Sequence, residues 1–220
     1  MSVGRLSVPR VDGRRLAAGL LLVNTEFLLV LAYLSVAPVG DVDPVLVAVP
    51  FVWINVALWG VWRVGLPRAG SRRARWLAAG VGVGYFLLLA WVGGLLSTGH
   101  GGHAHIHATV HWVLPPGWGP ALSLSGGGLS ATLIPYKVVG YAALAYLVAA
   151  TVLDASAGAL GGLVGLFACV SCTWPVLGTV LAGLLGGGSA LAAVATGQPY
   201  QVSTLVFVTA VGLLAARPSL

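Results

Sequence analysis

Charge is what this sequence has least of. Asp, Glu, Lys and Arg make up 7% of its 220 residues, against about 25% in an ordinary soluble domain. That excludes a globule that solvates its own surface. Methionine is almost missing: Met1 is the only one, so no ladder of thioether sulfurs is present to favour Cu(I). The chain also lacks a nucleotide-binding motif, a catalytic-triad candidate and a dense polar pathway through its apolar segments. No reaction class follows from the residues, and enzymatic activity is left open. The formal charge of +6 does not point to nucleic acid, because the arginines are gathered in two places and not spread over a surface.

What the sequence has is apolar length. Hydrophobic residues make up 58% of it, and the mean hydropathy is +0.97. A helix needs about 20 residues to cross a bilayer. The runs Leu16–Ala37, Val45–Trp62, Leu77–Ser97, Ile134–Leu153, Ala155–Trp174, Pro175–Ala195 and Val202–Ala216 are candidates. The last is short and the two before it are nearly continuous, so seven spans are expected, with six as the alternative. The expectation is an all-α polytopic transmembrane bundle forming one domain over residues 1–220. The first run is too long for a signal-peptide core, carries Glu26, and ends without a clear cleavage site. It reads as a retained first helix.

Arginine placement orients the bundle in the cell membrane. Arg5, Arg10, Arg14 and Arg15 precede the first span, and Arg63, Arg68, Arg72, Arg73 and Arg75 lie between the second and third. Positive residues stay cytoplasmic, so the amino terminus and the 63–76 loop are expected inside. The Gly40–Pro44 connection and the long loop at about 98–133 then face outward. The Asp154 connection is expected inside and the Cys169–Pro175 hairpin outside. Seven spans put the carboxyl terminus outside with Arg217, which fits the charge rule poorly.

Within the spans, glycines repeat at four-residue spacing: Gly80 with Gly84, Gly158 with Gly162, Gly161 with Gly165, and Gly183 with Gly187. Such spacing lets helix backbones approach closely. Gly186–Gly188 allows a bend. Trp53, Trp59, Trp62, Trp76 and Trp112 stand near span ends and read as interfacial anchors. Two ionisable residues interrupt spans. Glu26 falls about mid-depth in the first and suits either a proton or cation role or a protonated, hydrogen-bonded carboxyl. Lys137, near the outer end of the fourth, is expected to snorkel to the interface.

All five histidines, His100, His103, His105, His107 and His111, sit in the outward loop. An extended stretch alternates His103, His105 and His107 onto one face. A helix instead aligns His103, His107 and His111. Either way three imidazoles gather, which suits Zn(II) or Cu(II). Asp41 and Asp43, on the same side, can add oxygen ligands or orient the imidazoles. The competing reading is a pH-responsive or merely polar interfacial segment.

The two cysteines form Cys169-Val-Ser-Cys172, followed by Thr173-Trp174-Pro175. A CxxC supports thiol–disulfide exchange or metal capture, and Thr173 and Pro175 suit a helix start just beyond it. The alternative is two small residues packed inertly in a helix hairpin. This motif, with the Val176-Leu-Gly-Thr179 and glycine-rich helix that follow, resembles an uncharacterised family of multi-pass membrane proteins from haloarchaea. The resemblance implies coverage of most of the chain. It also implies an association with haem–copper oxidase genes, and so a part in assembling or serving that oxidase. It carries no role for any single residue.

Three functions remain open. The first is handling of copper or zinc on the outer face for a respiratory oxidase, using the histidines. The second is a thiol–disulfide protein using Cys169 and Cys172. The third is an accessory structural subunit of a membrane complex. The bilayer is the one partner that all three share.

Overall fold

A computed structural model of the protein describes residues 13–36, 43–65, 71–98, 107–112, 114–156 and 199–216. The chain divides into two units, Met1–Asp41 and Val42–Leu220. The first contains one helix, α1 (Gly13–Val36). Its stretch Ala17–Val36 is long and apolar enough to cross a membrane. Glu26 is half-buried on it, on the face shared with Val30 and Tyr33.

The second unit contains α2 (Pro44–Val64), α3 (Arg72–Val92), a four-stranded sheet, α4 (Pro135–Ser156) and α5 (Pro199–Ala215). Helices α2, α3 and α4 are also long and apolar enough to cross, and α5 is a shorter apolar helix. The described residues thus hold five helices, four of spanning length. The expected runs Ala155–Trp174 and Pro175–Ala195 lie largely outside them, so the count of seven is not reached within them.

Local chemistry sets the helix ends. Asp43 accepts from the Val45 N–H at 2.9 Å while Pro44 takes the first helical position of α2, where a missing N–H costs nothing. Ser71 caps α3 by accepting from the Ala74 N–H at 3.2 Å. The arginines at 72, 73 and 75 are therefore helical and not part of the expected 63–76 loop. At its other end α3 stops at Gly93-Gly94. Gly94 has φ +74°, the Leu95 N–H returns to Ala90 O at 2.8 Å and the Gly94 N–H to Trp91 O at 3.3 Å. This is a Schellman closure, its apolar contact supplied by Ala90 and Leu95, both buried. The third span accordingly runs about five residues earlier than Leu77–Ser97, and Leu96–Thr98 become β1.

Helix α4 is the centre, packing on α2, α3 and α5. Small residues make this possible. A Cβ on Gly60 of α2 would lie 2.5 Å from Val211 Cγ1 and 3.3 Å from Leu147 Cδ1. On Gly82 of α3 it would lie 3.2 Å from Ala145 O and Ala149 Cβ, and on Gly140 of α4 it would collide with Trp53. The expected pair Gly80 and Gly84 meets nothing within 4 Å among the described residues. The real contact is Gly82, on the opposite side of the helix. The other expected glycine pairs lie outside the described residues.

These contacts also fix direction. Trp53 meets Gly140 and Phe207, and seven, seven and four residues on respectively, Gly60 meets Leu147 and Val211. Helices α2, α4 and α5 therefore run parallel, all starting at one end. Helix α3 runs against them, since Gly82 meets Ala145 and Ala149 while Gly93 meets Tyr141.

The expectation of an all-α fold is corrected at residues 96–133. Strands β1 (Leu96–Thr98), β2 (His107–His111), β3 (Ala121–Gly126) and β4 (Leu129–Leu133) form an antiparallel sheet in the order β1-β4-β3-β2. The segment Ala121-Leu-Ser-Leu-Ser alternates with the period of a strand. Gly127 and Gly128, with φ +60° and +82°, make the two-residue turn between β3 and β4, and positive φ at both central positions is what a type I′ hairpin requires.

Candidate functional site

The sheet has two unlike faces. Pairing aligns His107, Ser125, Ser130 and Ser97 in one row, and Thr109, Ser123 and Thr132 in the next. His111 lies opposite Ala121 on the same face. The other face carries Ala108, Leu124, Ala131 and Leu96, then Val110, Leu122 and Leu133. His107 and His111 are both exposed, on the outermost strand. Strand rise is about 3.3 Å per residue, which puts them roughly 13 Å apart. Strand side chains stand perpendicular to the sheet. The two imidazoles could share an ion, with bonds of about 2.0–2.1 Å, only by lying flat along the strand. The helical alignment of His103, His107 and His111 is thereby corrected for its last two members, which are in a strand.

Other expected ligands are placed differently or fall elsewhere. Asp43 is engaged as the α2 cap. His100, His103, His105, Asp41, Cys169 and Cys172 lie outside the described residues. No three of His, Cys, Asp and Glu gather among the described residues.

In the β2–β3 connection, residues 114–120 are docked on α2. Pro50, inside α2, has no N–H to give Leu46 O, four residues back. The Trp118 indole N–H supplies that bond instead, at 2.7 Å. Gly117 lies directly over Pro50, where a Cβ would collide, and its carbonyl accepts from the Tyr136 N–H at 3.1 Å. Trp118 then packs edge-on against Tyr136 and Tyr200.

Behind Tyr136 and Tyr200 the helices frame a half-open cavity of about 340 Å³. Trp53, 4% exposed, is part of its wall, stacked on Phe207 with centroids 4.0 Å apart and donating to Thr204 Oγ1 at 3.0 Å. It is a core residue and not an interfacial anchor. Trp59, Trp62, Trp76 and Trp112 are exposed, as anchors would be. Tyr85, Tyr136, Tyr141, Tyr200, Ser203 and Lys137 add polar groups to the same cavity. Lys137 is half-buried on the cavity wall, and its ammonium donates to Gly93 O at 3.0 Å. That carbonyl belongs to the end of α3, the negative pole of the helix, where a cation is favoured.

A family model described as "Family of unknown function (DUF7546)" matches residues 1–220. The chain belongs to the DUF7546 family. No curated protein and no solved structure matches it. The family description assigns no activity, so the chemistry of this DUF7546 chain rests on its own side chains. Sequence reading found Lys137 and the histidines but missed the cavity. Its tyrosines are scattered over three helices, and the one local signal was Pro50 inside an apolar run.

Proposed function

We propose that the chain is a multi-pass cell-membrane protein with a cytoplasmic amino terminus that handles copper or zinc at its outer face. The recipient is a haem–copper oxidase, as the resemblance to the haloarchaeal family implies. The observation that carries the metal reading is the exposed His107 on the polar face of an edge strand, directly following a segment that holds three more histidines. Because His107 and His111 stand roughly 13 Å apart, the proposed chelate is the 100–107 part of the run, without His111.

The parallel course of α2, α4 and α5 bears on the number of spans. If each crosses fully, α4 and α5 both begin outside, which requires an even total. The six-span alternative meets this and the seven-span count does not. Arg217 then falls in the cytoplasm, in keeping with the charge rule. A cytoplasm-active reporter fused after Leu220 should work and a periplasm- or exterior-active one should not. The reverse result restores an odd count.

The metal reading is tested on the purified full-length protein, loaded with Cu(II) or Zn(II) and desalted. The parent should retain about one ion, His107→Ala should lose it, and His111→Ala should keep it. Equal, negligible retention in all three refutes metal handling, and loss in His111→Ala alone refutes the assignment to residues 100–107.

A further inference from the structure

We propose that the cavity bounded by α2, α3, α4 and α5 binds a single-chain amphiphile with an anionic head group, the head held at Lys137 and the tail lying along the apolar depth of the bundle.

The cavity is graded in polarity. Most of its polar members sit at one end, with Tyr141 one turn further along α4 and Tyr85 deeper on α3. Tyr136 and Lys137 are in the first turn of α4, Tyr200 and Ser203 in the first turns of α5, and Gly93 closes α3. Deeper in, the lining is Leu89, Leu144, Val206, Phe207 and Ala210. From Lys137 to Leu144 is seven residues, roughly 10 Å of helix. One end thus offers a cation and several hydroxyls, and the remainder is aliphatic and aromatic carbon apart from the Tyr85 hydroxyl. The volume stands at the lower end of the range for small-molecule sites, about 300–1,000 Å³, and suits one chain.

Charge gives the head group its sign. Lys137 is the only lysine in the sequence. An ammonium has three donors, and Gly93 O takes one of them. Among the described residues no carboxylate pairs with it. A cation among apolar helices calls for a counter-charge or a wet cavity. Tyr136, Tyr141 and Tyr200 line the same cavity, and each carries a hydroxyl that can donate to an anion's oxygen. A carboxylate and a phosphate head share this chemistry.

The inference does not rest on the metal reading, and neither of its variants touches a histidine. Full-length protein in nanodiscs of zwitterionic phospholipid is titrated with one fluorescent single-chain amphiphile in three forms: carboxylate, phosphate and alcohol. Inorganic phosphate serves as competitor. The carboxylate form, the phosphate form or both should bind saturably at one site per chain, and the alcohol at least tenfold more weakly. Which anion binds names the source. Lys137→Gln should abolish the preference over the alcohol. Because Lys137 also caps α3, a second variant leaves that bond alone: Ser203→Phe, at the exposed rim, should weaken every form. Equal binding of the alcohol, retained preference in Lys137→Gln, unchanged binding in Ser203→Phe, displacement by inorganic phosphate alone, or no saturable binding would each overturn the proposal.

Discussion

The bond from Trp118 to Leu46 O makes a sharp energetic prediction. A proline in a helix interior leaves the carbonyl four residues back without its N–H partner, and a buried polar group left unpaired costs about 1–3 kcal/mol. Here the indole of Trp118 answers for Pro50 at 2.7 Å. Trp118→Phe keeps a ring against Tyr136 and Tyr200 but removes the donor, so it should destabilise the protein by about 1–3 kcal/mol. Pro50→Ala restores a backbone N–H to the helix while keeping the Cβ that faces Gly117. In that background Leu46 O has a second donor, and Trp118→Phe should cost less than about half as much.

The assay is a double-mutant cycle on equilibrium unfolding of the detergent-purified protein, which isolates the pairwise term. The expected coupling is about 1 kcal/mol or more, beyond the usual additivity error of about 0.3–0.5 kcal/mol. If Trp118→Phe costs the same in both backgrounds, the indole is not substituting for the helix bond, and the loop is held by ring packing alone.

Substituting Gly82 with Leu should separate α3 from α4 and destabilise by about 1–3 kcal/mol, the usual cost of overpacking, whereas Gly80→Leu should be near neutral; thermal unfolding in detergent compares the two. Gly127→Asn should be tolerated at its positive φ, but Gly127→Val should loosen the β3–β4 hairpin, read as faster amide exchange at the paired residues Gly126 and Leu129. Gly93→Ala places a methyl on the Tyr141 hydroxyl and should lower stability together with any amphiphile binding, measured by the same nanodisc titration.

Most of the helical architecture was legible because apolar length needs no tertiary context. The runs for α1, α2, α4 and α5 match the helices to within a few residues at most ends. The third was displaced because Arg72, Arg73 and Arg75 suggested a loop, although Ser71 is a capping residue and Gly93-Gly94 a stop. The sheet was missed for a related reason. Ala121-Leu-Ser-Leu-Ser-Gly and Leu129-Ser-Ala-Thr-Leu alternate as strands should, but so apolar a chain draws every segment toward helix. Closeness of Gly60 to Val211, or of Gly140 to Trp53, depends on partners far away in sequence and had no local signal.

The sites differ in legibility because they differ in construction. The histidines form one run, so composition revealed them, yet their mutual distance depended on conformation, and the strand separates His107 from His111. The cavity draws its lining from four helices, so composition was silent. One element touches both. The segment at residues 114–120 follows the histidine strand β2 in sequence, locks onto α2 at Pro50, and presses Trp118 against Tyr136 and Tyr200 at the cavity wall. Variants at His107 and Lys137 should therefore act separately, each on its own ligand. Trp118→Phe is the substitution that can move both readouts, because it loosens the segment that joins β2 to β3 and carries Trp118 onto the aromatic wall. If it changes amphiphile affinity and leaves metal retention untouched, the loop is a roof for the cavity and the strand is held independently by its five pairings with β3.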